Sequence, residues 1–146
     1  MADTQVYATR QDLLDRDASF MWTVAAQADN PDALDDVAID AALSDATEEI
    51  NSFLTRYQLP LSVVPRVVNR ACISLAFYWL ADRDSSVTDL VQKRYDDAIT
   101  TLKDIQAGRR NLGLPETDKP AETASGKAEV ISAYRSSIRN GIGDLL

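Results

Sequence analysis

The segment PRVVNRACISLAFYWLADR, residues 65–83, limits the fold more than any other stretch of the chain. Val67, Val68, Ala71, Cys72, Leu75, Tyr78 and Trp79 recur at helical spacing on one face, and Ile73, Ala76, Phe77 and Leu80 fill most of the remaining circumference. A helix that is apolar on nearly every side belongs at the centre of a bundle, or between a core and a neighbouring subunit. Its charges, Arg66, Arg70, Asp82 and Arg83, keep near its ends. Pro65 suits the first helical position, where a missing N–H costs nothing.

Two amphipathic helices are expected beside it. In 37–57, Ile39, Leu43, Ala46, Ile50, Phe53 and Tyr57 are spaced 4, 3, 4, 3 and 4 apart, and in 87–107, Val91, Tyr95, Ala98, Leu102 and Ile105 repeat the spacing. Asp35 or Asp36 suits the cap of the first and Ser85 or Ser86 that of the second, with Gly108 as the C-terminal cap. The first must end before Leu59-Pro60-Leu61, because the residue before a proline is pushed out of the α region. Upstream, Thr9 and Asp12 form a capping box that opens a two-turn helix near 10–16, and a second short helical piece covers 20–28 before the Asn30-Pro31 turn. The expected fold is all-α: an antiparallel helical bundle of three long helices plus short N-terminal helices, with an extended C-terminal arm.

Composition changes after Gly108. Residues 1–108 read as a helical domain, 109–128 as a flexible linker containing Pro115 and Pro120, and 129–146 as a docking arm. The arm is apolar again at Val130, Ile131, Tyr134, Ile138, Ile142, Leu145 and Leu146. Ile131, Tyr134, Ile138 and Ile142 suit one side of a helix, EVISAY alone suits a strand added to another sheet, and folding back on the bundle is a third course.

Charge is polarised along the chain. Residues 1–50 hold twelve acids against Arg10 and Arg16, a net of −10, whereas the remainder holds eleven acids against thirteen bases, a net of +2; together these make the overall −8. Such an acidic half is unsuited to gripping a phosphate backbone. It fits stacking on a basic partner, lining a passage through which DNA slides without sticking, or simple solvation, and the acids placed for the passage are Asp32, Asp35, Asp36 and Asp40.

Catalytic chemistry finds little support. The chain has no histidine, which removes the commonest general base, the Ser-His and Cys-His pairs and ordinary zinc sites. Signatures for phosphate, dinucleotide and zinc sites are missing, and DNPDALDDVAID lacks the turn glycine of a calcium loop. Asp96 and Asp97 are adjacent on a helix and point about 100° apart, so they suit a solvated face better than a carboxylate pair. Arg109 and Arg110 suit a helix C-terminus. No catalytic, cofactor or metal site is expected. Cys72, the single cysteine, sits in an apolar run and reads as packing. No segment has the ~18 apolar residues of a membrane span, and the first residues lack a signal peptide, so the chain is expected in a reducing cytoplasm.

Four segments, YATRQDL, DATEEINSFLTRYQLPL, VPRVVNRACISLAFYWL and RYDDAITTLKDIQAG, resemble the head-tail connector, or neck, proteins of Mu-like phages and prophages. The likeness covers residues 7–114 and rests on structural positions: Asp45-Ala46 through Ile50, Tyr57, Leu59-Pro60-Leu61, Pro65, Arg94-Tyr95 and Leu102 to Gly108. The resemblance implies a non-enzymatic virion subunit made in the host bacterial cytoplasm. Such a subunit would form a ring of twelve copies on the portal protein, extend the DNA channel, and seat the next neck or tail-terminator protein. DNA would pass without sequence-specific binding, and no membrane is involved. The competing class is a small DNA-binding packaging or regulatory protein, which the acidic balance disfavours.

Overall fold

The computed structural model describes residues 5–117. They form four helices, α1 (Arg10–Val24), α2 (Asp36–Asn51), α3 (Arg66–Arg83) and α4 (Asp89–Gln106), in a unit that runs to Pro115. The all-helical expectation holds: among the described residues no strand forms, and Ala26 and Leu34 meet only in an isolated bridge. No helix among them is long and apolar enough to cross a membrane.

α3 is the axis of the unit. Seven consecutive residues, 71–77, are buried, which is two full turns covered on every side. α1, α2 and α4 each pack principally against α3. From α2 come Ile39, Leu43, Ala46 and Ile50, and from α4 Val91, Leu102 and Ile105, all buried. Each such aliphatic side chain contributes about 1.5–3 kcal/mol when removed from water. Phe20 of α1 meets Phe77 edge-on, with centroids 5.5 Å apart.

Helix ends differ from the sequence reading in instructive ways. Thr9 and Asp12 make both halves of the expected capping box. The two expected N-terminal pieces are one element interrupted at Asp17 (φ −164, ψ 84), whose carboxylate accepts from Phe20 N and so caps the second half. That half stops at Val24 because the backbone of Ala25 and Gln27 is taken by Asp35 and Ala33 in a turn. α2 ends at Asn51, six residues short of the expected Tyr57. Ser52 Oγ donates to Glu49 O, and Phe53 and Leu54 bond carbonyls three residues back. Asn and Ser favour such local bonds over helix continuation, while the stripe residues Leu54 and Tyr57 stay buried from turns. Pro65 lies one place before the first helical turn of α3, with extended ψ.

Ser85 and Ser86 do not cap α4, because both are spent closing α3: Ser85 adopts φ +56 and donates to Asp82 O, and Ser86 N donates to Ala81 O. Thr88 caps α4 instead, accepting from Val91 N at 3.2 Å. Gly108 (φ +83) closes α4 in the same way, with Arg109 N bonded to Asp104 O.

A few polar groups tie the helices together. Glu49 of α2 accepts from Trp79 Nε1 of α3 (3.2 Å) and from the Tyr95 hydroxyl of α4 (2.8 Å), so one carboxylate spans three helices. Burial and that carboxylate push the Tyr95 phenol well above its ordinary value. Tyr95 also stacks on Tyr78 at 4.1 Å. The extended stretch before α1 is sewn down: Tyr7 N donates to buried Thr47 Oγ1, Asn69 Nδ2 donates to Tyr7 O, and Gln5 bonds the Leu61 backbone in both directions. Cys72 is fully buried beside Thr47, and burial raises its thiol to about 11, against the opposing pull of the Thr47 hydroxyl. Trp22 is 44% exposed.

Of the segment expected as a linker, residues 109–115 rest on the bundle. Leu112 N donates to the Tyr57 hydroxyl at 3.0 Å, and Leu112 and Leu114 are half-buried against the core. The rest of that linker, from residue 118, and the arm residues Val130, Ile131, Tyr134, Ile138, Ile142, Leu145 and Leu146 lie outside the described residues.

The two left-handed closures make a paired prediction for chemical denaturation. Ser85→Gly removes a Cβ from a conformation that L residues resist and raises stability by about 0.5–1 kcal/mol. Gly108→Ala lowers it by about 1 kcal/mol or more, since the new Cβ meets Arg56 Nη2 at 2.9 Å as well as the positive φ. A destabilised Ser85→Gly variant contradicts this view of the turn.

Candidate functional site

A cleft opens between α3 and α4. On α3, Arg66, Arg70 and Ser74 are four residues apart and share a column, with Val67 and Ala71 alongside. On α4, Arg94, Asp97, Ala98 and Thr101 share the facing stripe. Ala71, Ser74 and Ala98 are too short to fill the space between the helices, and a volume of about 450 Å³ stays open. Arg16, from the end of the first half of α1, and Arg110, beyond α4, complete the lining. Five arginines, from α1, α3, α4 and the segment beyond α4, therefore surround one cleft.

Its electrostatics are unbalanced. Elsewhere four cations find partners: Arg10 with Asp36 at 3.1 Å, Arg83 with Asp35 at 3.4 Å, Lys93 with Asp97 at 2.9 Å, Arg109 with Asp104 at 2.9 Å. Among the described residues, none of Arg16, Arg66, Arg70, Arg94 and Arg110 makes an ion pair. The one acid in the lining, Asp97, is held by Lys93. Arg16 is pushed below the ordinary guanidinium value by partial burial, then by Arg94 and Arg70, with Asp17 opposing. It nonetheless stays charged, as arginine does at any physiological pH. Ser74 lines the cleft while only 8% exposed, and its hydroxyl has no hydrogen-bond partner among the described residues. Forked guanidinium donors around a small floor suit carboxylate or phosphate groups, which they bind through paired hydrogen bonds.

The acids singled out from sequence do not act as one group. Asp35 caps α2, accepting from Ala38 N at 3.1 Å, and also pairs with Arg83. Asp36 gives one oxygen to Arg10. Asp32 and Asp40 are exposed and have no cationic partner among the described residues, as is true of Asp29. Between Asp36 and Asp40, Val37 is 80% exposed. Among the described residues no cluster of three or more ligating side chains could hold a metal. Asp96 and Asp97 are exposed, receiving Gln92 and Lys93 from one turn earlier. Arg109 caps its own helix end through Asp104, whereas Arg110 turns to the cleft. The Arg66 and Arg70 spacing was visible in sequence; the approach of Arg16, Arg94 and Arg110 was not.

Comparison with known proteins adds a family. The family described as Bacteriophage Mu, Gp36 matches residues 7–131. The chain is similar to the Mu-like prophage FluMu protein gp36 of Haemophilus influenzae, with 34% identity over 122 residues, 83% of this chain and 85% of that protein. It is also similar to gene product J of Escherichia phage Mu, with 30% identity over 110 residues, 74% of this chain and 77% of that protein.

A cluster of like charges with no counter-ion costs stability, so Arg94→Gln is expected to stabilise the fold by about 0.5 kcal/mol at low salt. The gain shrinks as added salt screens the arginines. Unfolding midpoints across a salt series measure it, and a loss of stability at every salt concentration contradicts mutual repulsion in the cleft.

Proposed function

Because the chain belongs to the Bacteriophage Mu, Gp36 family of Mu-like phage and prophage proteins, we propose that it is a structural subunit of the virion, a head-tail connector. In this role copies form a ring on the portal protein, continue the DNA path, and present a seat for the next neck or tail-terminator protein. The observation that best supports it is the separation of uncompensated charge within one small subunit. A five-arginine cleft and an acidic edge at Asp29, Asp32 and Asp40 are each left without internal partners, as surfaces made for assembly are. The arm at 129–146 supplies a further docking segment for the portal or an adjacent copy.

The arginine cleft also gives the DNA-binding alternative an observation of its own. A duplex, however, is held by cations displayed along the backbone path, and these line a recess of about 450 Å³. Duplex affinity near ~10⁻⁸ M at physiological salt, the usual strength of a specific binder, favours that alternative.

The test is depletion of the chain during growth of the phage or prophage that encodes it. Heads and tails are expected to accumulate unjoined, and added full-length protein to join them. A chain lacking residues 120–146 is expected to keep its helical circular dichroism and fail to join them. Complete infectious particles formed without the chain overturn the connector function, and joining by the shortened chain overturns the role of the arm.

A further inference from the structure

We propose that the arginine cleft receives the first turn of α2 from a second copy of this chain, so that copies join head to tail through Asp36, Val37 and Asp40. This deepens the connector reading, since it names what one subunit grips on the next.

The cleft asks for an anion with an apolar component. Its walls carry five cations with no ion-pair partner among the described residues, and its floor is Val67, Ala71 and Ala98 with the buried Ser74 hydroxyl. The start of α2 offers the complement. Asp36 and Asp40 lie one turn apart, and Val37 stands to one side of them, about 60° round the helix from Asp40, with 80% of its surface in water, the most exposed large apolar residue among those described. Asp36 commits one carboxylate oxygen to Arg10 and keeps the other, and Asp40 has no cation. An aliphatic tip with two carboxylates beside it fits a small apolar floor ringed by guanidinium groups, with charge pairing at the rim and water expelled at the floor.

The donor must be another molecule. The cleft is lined from α1, α3, α4 and Arg110, and no residue of α2 reaches it. Tip and cleft are different patches of the subunit, so the contact is heterologous: each copy gives its tip to one neighbour and its cleft to the other, which closes into a ring when the rotation permits. Nucleic acid in the cleft would satisfy the arginines and leave Val37 uncovered, beside an acidic edge that repels phosphate. Asp36 and Asp40, two of the acids read from sequence as candidates for the channel wall, are by this inference turned toward a neighbour.

Disulfide trapping between two full-length variants tests it. Val37→Cys places a thiol at the tip and Thr101→Cys one in the cleft, while the native Cys72 stays buried. Mild oxidation of the mixture is expected to give a 37–101 disulfide, mapped by peptide mass, at roughly tenfold the yield of a Val63→Cys and Thr101→Cys control, because docking concentrates the thiols. The yield falls with added salt. Adding Asp36→Lys and Asp40→Lys to the tip variant abolishes it, and adding Arg70→Glu and Arg94→Glu to the cleft variant restores it, which a misfolded chain cannot do. A yield equal to the control, or one indifferent to charge reversal, overturns the proposal. So does protection of the Thr101→Cys thiol by duplex DNA with no 37–101 product, which assigns the cleft to phosphate. A charge-dependent disulfide from a chain whose depletion leaves particles complete keeps the contact and removes the connector function.

Discussion

Burial of α3 is the constraint on which the rest of the molecule depends. A helix covered on all sides for two turns needs partners all round, and α1, α2 and α4 each present their apolar stripe to it rather than mainly to one another. The extended residues before α1 and the turns around Leu54, Tyr57 and Leu61 complete the cover. With so much packing through one element, losing α3 leaves no core for the others.

Apolar packing alone does not determine how helices sit around an axis, because greasy stripes tolerate sliding. Here the angular positions are tied by few polar groups with defined partners. Glu49 links α2 to α3 and α4. Arg83, at the end of α3, donates to Val24 O and pairs with the Asp35 cap, joining the end of α1 to the start of α2. Arg56 reaches from the turn after α2 to the final carbonyls of α4. Against this economy, five arginines around one cleft make no ion pair among the described residues. In the proposed contact between copies, a neighbour's carboxylates relieve the mutual repulsion there.

What was legible in sequence follows physical range. The bodies of α3 and α4 and the Thr9 and Asp12 box depend on contacts within four residues and could be read from spacing, as could an acidic cap for α2, open between Asp35 and Asp36 until the structure gave it to Asp35. The end of α2 could not: the 4, 3, 4 stripe continues through Phe53 and Tyr57, because turns with bonds three residues back keep the same side buried. Ser85 and Ser86 are credible caps, and only the closing geometry of α3 shows why Thr88 takes the role. Glu49 sits off the apolar stripe and looks solvated until Trp79 and Tyr95 are brought to it. The cleft is the extreme case, since Arg16 and Arg110 are distant in the chain and meet only after α3 has gathered its neighbours. The resemblance to proteins of Mu-like phages lay in helix-forming and turn positions, which explains why it pointed to a Mu-like phage protein and not to the cleft.

A subunit of opposed charged surfaces, packed about one buried helix, suits a repeating assembly in which each copy completes the next. The most direct measurement is an electron-microscopic reconstruction of the neck of the phage particle. A connector ring predicts copies of this chain between portal and tail, with the α3–α4 cleft of each facing the start of α2 of the adjacent copy. A neck without this chain contradicts the assignment, and a ring whose clefts open onto the DNA contradicts the contact between copies.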